Sequence, residues 1–212
     1  MTVPASSTPY SFIHLASHSP RRRELLRQIE VRFETLLLRS GPGREPDVVE
    51  RPGPDEAAAD YVLRIAREKA LAGRLRAGQR RLPPAPVLGA DTEVVLDGEI
   101  FGKPVDATDA VRMLGRLSAR SHQVISAVAL ATPDGGLVTR LSASDVEFRP
   151  LAPGEADRYA RSGEPMGKAG GYAIQGRGAV FVRRINGSYS GVMGLPLFET
   201  AELLACAGVA VG

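Results

Sequence analysis

The sequence has few cysteines and histidines and lacks a long apolar run. Its single cysteine, Cys206, cannot form an internal disulfide, and its apolar helical surroundings predict simple packing. It has no tryptophan, and its three histidines lack metal-ligand spacing, so no zinc site is predicted. No apolar run approaches the length of a membrane span. The sequence therefore predicts a cytoplasmic protein without membrane contact.

Neither sign of charge dominates the chain. The 27 basic and 24 acidic residues are interspersed and leave a formal net charge of +3, a mild bias towards anionic partners. That balance is not the pattern of a nucleic-acid-binding surface, and no stable nucleic-acid complex is expected. With 43% hydrophobic residues over 212 positions the chain can bury a sizeable core. Residues 1–12 are expected to form a flexible polar leader, and residues 13–212 a single domain.

Apolar periodicity indicates alternating strands and helices. Strands are predicted over 11–16, 31–38, 86–96, 122–131, 137–148 and 179–185, and helices from 20 and over 55–75, 107–117, 153–162 and 196–205. Ser19 is expected to cap the first helix, Thr108 the third, and Asp97-Gly98 to form a tight hairpin turn. Residues 40–54, rich in glycine, proline and charge, are predicted to be a loop. The fold class is α/β, a mixed sheet with flanking helices.

Asp91 lies inside an otherwise apolar strand, and Thr92 and Glu93 follow it. A carboxylate in a strand core is costly unless it is paired, bound to a metal or used in catalysis. Strands of α/β sheets commonly deliver such groups to a ligand crevice, so Asp91 is a candidate catalytic or metal-binding group. A structural aspartate bonded to nearby backbone is the alternative, and the strand alone does not separate the two.

Several cations lie beside helix starts or glycines. The helix that begins at Ser19 carries Arg21 and Arg22 next to its positive dipole end, an arrangement that suits a polyphosphate. Further cations adjoin apolar or glycine-rich stretches: Lys69, Lys103 and Lys168. Each alone is more often a solvated surface charge.

Taken together, these segments resemble the Maf nucleotide pyrophosphatases from about residue 13 to 205. The similar blocks are LASHSPRRRELL (15–26), AREKA (66–70), GADT (89–92), GKP (102–104), GKAGGYAIQG (167–176), INGSY (185–189) and GLP (194–196). Their number and order make the resemblance specific. It implies an elongated mixed sheet similar to that of inosine triphosphate pyrophosphatases, with a cleft between two lobes. The loop at 40–47 and the leader are longer than the usual pattern.

The resemblance also implies an activity and a set of site residues. Two blocks, 172–176 and 185–189, are similar to the subgroup that hydrolyses dTTP and UTP to the monophosphate and diphosphate, with Mg²⁺ or Mn²⁺. Asp91 would be the proton acceptor, and the positions tied to substrate choice would be Arg21, Thr92 and Gln175. Gln175 offers an amide donor and acceptor that match the imide edge of uracil or thymine. The expected phosphate-binding residues are Ser17, Arg21, Arg22, Lys69 and Lys103, and the expected metal ligands are Glu50 and Asp91, with Glu93 nearby.

Two other functions stay open at this point. One is a pyrophosphatase with another specificity, either for 7-methyl-GTP, as in the sister subgroup, or for a modified nucleotide such as a modified pyrimidine nucleotide. The other is a nucleotide- or nucleic-acid-binding regulator of septum formation without turnover, although binding phosphate needs cations and not the base that Asp91 offers. The resemblance further implies house-cleaning of nucleotide pools, a link to cell-division arrest and a homodimer.

Overall fold

The computed structural model describes residues 10–40 and 45–212. Most of the predicted leader and part of the 40–47 loop lie outside these ranges, while Tyr10 forms a bridge to Val209. The strands are β1 (Ile13–Leu15), β2 (Phe33–Thr35), β3 (Val87–Leu96), β4 (Glu99–Phe101), β5 (Ser121–Ala131), β6 (Leu137–Phe148) and β7 (Val182–Asn186). The helices are α1 (Pro20–Gln28), α2 (Ala58–Gln79), α3 (Ala107–Leu117), α4 (Glu155–Ala160), α5 (Tyr189–Met193) and α6 (Leu197–Cys206). Over the described ranges, no helix has both the length and the apolarity needed to cross a bilayer.

The strands form one mixed sheet in the order β2-β1-β3-β5-β6-β7, and β4 pairs with β3. Strand β1 runs parallel to β2 and β3, whereas the remaining pairings are antiparallel. The predicted pairing of the two β-branched runs is confirmed as β5 with β6, joined in register from Ser121 opposite Glu147 to Ala131 opposite Leu137. The predicted α/β class with a mixed sheet and flanking helices is therefore confirmed.

Helix α2 covers one face of the central strands. Its apolar positions, among them Tyr61, Val62 and Ile65, pack on alternate residues of β3 and β5 such as Val95 and Ala127. A larger cluster fills the opposite face, where side chains of α1, α3 and α6 meet the other set of strand residues. Because side chains alternate along a strand, consecutive residues of β3 face these two different layers.

Four local predictions were wrong. Asp106, not Thr108, caps α3, since its side chain accepts a 2.8 Å hydrogen bond from the Asp109 amide. Helix α2 begins at Ala58 and not at 55, because Asp55 has a φ of 54°, outside the helical region. The first part of the predicted strand 179–185 coils as a 3₁₀ turn, Arg177–Phe181. Cys206 is exposed, because α6 buries the side that carries Leu203 and Leu204 and Cys206 lies on a different side of the helix.

Candidate active site

A gap in the sheet edge creates the site. On one side of β3, β1 pairs with its start, Leu15 opposite Leu88, and β4 pairs with its end, Phe101 opposite Val94. Among the described strands, none pairs with residues 89–93 on that edge. Side chains from both faces of β3 can therefore reach the same opening.

A cleft of about 540 Å³ occupies this gap, lined on one side by residues of 16–40 and 46–50 and on the other by residues of 167–194. That volume falls within the range of small-ligand sites. The cleft is lined by all the candidate site residues from the sequence analysis: Ser17, Arg21, Arg22, Glu50, Lys69, Asp91, Thr92, Glu93, Lys103, Lys168 and Gln175. The structure thus brings together residues that lie far apart in the sequence, such as Ser17 and Gln175.

On the α2 face of the gap, acids and lysines alternate in an ionic chain. Lys69 lies between two carboxylates, with its Nζ 2.8 Å from Asp91 Oδ1 and 2.9 Å from Glu50 Oε1. Lys103 Nζ lies 3.2 Å from the other oxygen of Glu50. Burial opposes ionisation of Glu50, but the two ammonium groups outweigh it and lower the pKa of its carboxyl to about 2. Asp91 and Lys69 are buried, so their pairing avoids an isolated charge in the core.

Two carboxylate oxygens on this face have no hydrogen-bond partner among the described residues: Asp91 Oδ2 and Glu93 Oε2, both buried. Burial, reinforced by the Asp91 carboxylate, raises the pKa of Glu93 to about 8. A buried carboxylate oxygen without a hydrogen-bond partner costs free energy. Such oxygens are typical of groups that bind a ligand or transfer a proton. Oxygen donors of this kind suit a hard divalent cation. Within the described part of the chain, however, no three acidic, histidine or cysteine side chains gather as a complete metal cluster.

Arg22 fills the unpaired strand edge. Its Nη1 donates to the Ala90 carbonyl at 2.8 Å and its Nε to the Gly194 carbonyl at 2.7 Å. A weaker bond of 3.4 Å joins Nη2 to Thr92 Oγ1. The guanidinium therefore replaces the missing neighbouring strand for β3 and ties it to the loop after α5. These contacts give Arg22 a bracing role, while its binding of phosphate stays a prediction.

Comparisons with known proteins identify the family of this chain. The family model described as Maf-like protein matches residues 12–207. The chain belongs to the Maf-like family. A "dTTP/UTP pyrophosphatase" from Burkholderia pseudomallei (strain 1710b) is 53% identical over 210 residues, 98% of this chain and all of that protein. Another from Aromatoleum aromaticum is 56% identical over 198 residues, 92% of this chain and 95% of that protein. Among solved structures, a HAM1 protein from Coxiella burnetii aligns with a TM-score of 0.43 and 17% identity, over 66% of this chain and 73% of that chain.

In this Maf-like protein, α1 presents a second arginine to the cleft. Arg21 is half-buried, and its Nε donates a 3.2 Å hydrogen bond to the Met193 carbonyl. Ser17 Oγ accepts from the Ser19 amide at 3.1 Å, and Ser19 in turn caps α1 as predicted. Burial, together with the charge of Arg21, lowers the pKa of Lys168 across the cleft. Arg21 and Lys168 therefore bring two positive charges to the lining of the cleft.

Ser126 was missed by the sequence reasoning. It is fully buried on β5 opposite Thr92, and the two hydroxyl oxygens lie 2.7 Å apart. Ser126 also donates to the Gly191 carbonyl at 2.7 Å. The signal that singled out Asp91, a polar residue within an apolar strand, was present for Ser126 too. This network holds Thr92 at the cleft wall.

Gln175 projects from the opposite wall. Its side chain is exposed and makes no hydrogen bond to the described residues. Tyr172, three residues earlier, is buried and bonds His122 Nε2 at 2.9 Å. The amide of Gln175 is therefore available to a ligand, whereas the chain that carries it is anchored.

Proposed function

We propose that this protein hydrolyses dTTP and UTP to the monophosphate and diphosphate. One observation carries the proposal: a buried aspartate, Asp91, offers an unengaged carboxylate oxygen inside a cation-lined cleft of nucleotide-binding size. The relatives named dTTP/UTP pyrophosphatase align over nearly their whole length, which supports the same activity here.

The residues of the cleft have different roles in the reaction. Asp91 Oδ2 accepts a proton from the water that attacks the α-phosphorus, while its Oδ1 is held by Lys69. Arg21, Lys69 and Lys103 stabilise the charge that develops on the diphosphate leaving group. Arg22 keeps β3 and the 194 loop in place, so that Thr92 and Gln175 meet the base or sugar from fixed positions.

A divalent cation, Mg²⁺ or Mn²⁺, fits the donor set. Asp91 and Glu50 would hold it, with Glu93 beside them, because carboxylate oxygens are hard donors. Two of these oxygens, Asp91 Oδ2 and Glu93 Oε2, have no hydrogen-bond partner among the described residues. Mg²⁺ commonly takes one or two protein carboxylates and completes its coordination with substrate phosphates and water, so an incomplete protein cluster suffices. When bound, such an ion would polarise the phosphate oxygens.

Diphosphate release from dTTP, UTP, CTP, GTP and 7-methyl-GTP tests the proposal. We expect selective turnover of dTTP and UTP, and a loss of roughly 100-fold or more in kcat for Asp91→Asn with nucleotide affinity retained. Asp145→Asn, an exposed acid on β6 outside the cleft, serves as the control. Preferred turnover of 7-methyl-GTP would favour the sister activity, and binding without turnover would favour a regulator.

The remaining expectations belong to the assembled and cellular protein. The homodimer, the house-cleaning role and the link to cell-division arrest stay predictions from the resemblance, and the cytoplasmic location stays a prediction from composition. Sedimentation of the purified protein tests the first of these.

A further inference from the structure

A half-buried carboxylate, Glu164, closes the loop that carries Gln175. Glu164 lies at the start of the segment 164–178, and its two oxygens accept bonds from the end of the same segment. Oε2 receives the amide of Arg177 at 3.1 Å, and Oε1 receives the amide of Gly178 at 3.1 Å. The two ends of the loop are thus joined by one side chain.

Tyr159 extends this arrangement from α4. Its hydroxyl donates to Glu164 Oε1 at 2.7 Å and accepts from the Ala173 amide at 3.0 Å. The ring is 4% exposed and packs edge-on against Phe181, with ring centroids 5.0 Å apart. The backbone is therefore fixed two residues before and two residues after Gln175.

Glycines leave room for this clasp, which consists of Glu164 and Tyr159. A Cβ at Gly176 would lie 2.7 Å from both carboxylate oxygens of Glu164, and one at Gly178 would lie 2.8 Å from the Tyr159 hydroxyl. Gly176 has a φ of −117°, so its backbone would accept alanine. An alanine at this position would push the Glu164 carboxylate away from its partners, so Gly176→Ala is a probe of the clasp.

We propose that the Glu164–Tyr159 clasp is a positioning device for pyrimidine recognition, which orients the Gln175 amide towards the base. The inference rests on the proposed function. Neither clasp residue lines the cleft, so both act through the backbone that they hold. A free amide on an anchored backbone loses little entropy when it pairs with an imide edge, and an amide on a loose loop loses more.

The test compares UTP with CTP, which differ at the base edge that Gln175 would contact. Tyr159→Phe removes the hydroxyl and keeps the ring, and Glu164→Gln keeps the shape while it replaces one acceptor by a donor. We expect each to reduce the UTP-to-CTP ratio of kcat/KM by roughly three- to tenfold, the size of one lost hydrogen bond. The change should appear in KM for UTP. Tyr10→Phe, outside the cleft, is the control.

Inhibition by inorganic diphosphate separates positioning from general damage, because this product contacts only the phosphate end. Its inhibition constant should be unchanged in the clasp variants. In a Gln175→Ala background, the clasp variants should cause no further loss of discrimination. If Glu164→Gln fails to fold, Tyr159→Phe and Gly176→Ala decide the question.

Two outcomes would overturn the inference alone: unchanged discrimination in folded Tyr159→Phe, or an equal weakening of diphosphate inhibition. A wild-type protein that hydrolyses UTP no better than CTP would instead overturn the proposed function, and the base-reading role of the clasp with it.

Discussion

Asp91 and Glu93 lie two positions apart on β3 and share a face of the sheet, yet their surroundings differ. Lys69 Nζ pairs with Asp91 at 2.8 Å, whereas Glu93 Oε2 has no hydrogen-bond partner among the described residues. Without a ligand, Glu93 therefore holds a proton more tightly than an ordinary glutamate. This difference can be measured.

We predict that Glu93 makes the metal-free protein less stable as the pH rises towards 8. Its pKa rises from 4.5 to about 8 on folding, so the folded protein binds more protons over this range and loses stability through it. Burial lowers the pKa of His122 from 6.5 to about 4, which acts in the opposite sense below pH 6.5. Urea unfolding in EDTA between pH 6.5 and 8 should show a steeper loss for wild type than for Glu93→Gln. Parallel profiles would contradict this assignment.

At the scale of elements, the closeness of α2 to β3 brings Lys69 to Asp91. Gly89 allows it, because a Cβ there would lie 2.4 Å from the Ala66 carbonyl oxygen and 2.6 Å from the Ala70 amide. We predict that Gly89→Ala costs about 1–3 kcal/mol and lowers kcat, since the helix must move outward with Lys69. Gly78 lies in α2 with open space around it, so Gly78→Ala should instead raise the free energy of unfolding by roughly 0.5–1 kcal/mol. Thermal unfolding and UTP turnover of both variants check this, and an active, stable Gly89→Ala would refute it.

A strap formed by residues 47–56 runs antiparallel along α2 and is held by three ion pairs. Asp47 pairs with Arg76, Glu50 with Lys69 and Glu56 with Arg64. The first and last pairs lie outside the cleft, and the middle one delivers Glu50 into it. The outer pairs therefore fix where Glu50 can lie.

We predict that Asp47→Asn weakens both stability and catalysis. The side chain of Asp47 is 6% exposed and accepts bonds from Arg39 and Arg76, so the change should cost about 1–3 kcal/mol. Glu202→Gln, which breaks a pair with Arg140 that is 43% exposed on each side, should cost under about 1 kcal/mol. Urea unfolding and kcat for UTP measure the two effects. Equal behaviour of the two variants would show that the strap does not position Glu50.

The sequence predicts elements better than it predicts this strap. Helix α2 follows from the spacing of Tyr61, Val62 and Ile65, since its buried side repeats with the helical period. The partners of Asp47, Glu50 and Glu56 lie 29, 19 and 8 residues further on and have no such period. Asp91 could be identified from the sequence because its charge lies among apolar neighbours in the chain. The contacts of Arg22 could not, because its partners Ala90 and Gly194 are distant in the sequence.

Across the whole molecule, the mixed sheet could be predicted, but the gap in it could not. Strand propensity indicates that β1, β3 and β4 exist, yet it does not specify that β1 stops pairing at Leu88 and that β4 starts at Val94. That register leaves residues 89–93 open on one edge. The charge of Asp91 and the resemblance, and not the period of the strands, indicated a cleft at this place.

The cleft draws on segments from residue 16 to 194, so a bound nucleotide should stabilise the molecule as a whole. We predict that UTP with Mg²⁺ at about 100 times its Kd adds roughly 2.7 kcal/mol to Asp91→Asn, which keeps the nucleotide intact. For a chain of this length that corresponds to a Tm rise of about 5–10 °C. CTP and inorganic diphosphate at the same concentration should give smaller rises, because neither supplies the imide edge for Gln175. Equal rises for UTP and CTP would mean that binding energy comes from the phosphates alone, and that discrimination between bases arises only during the reaction.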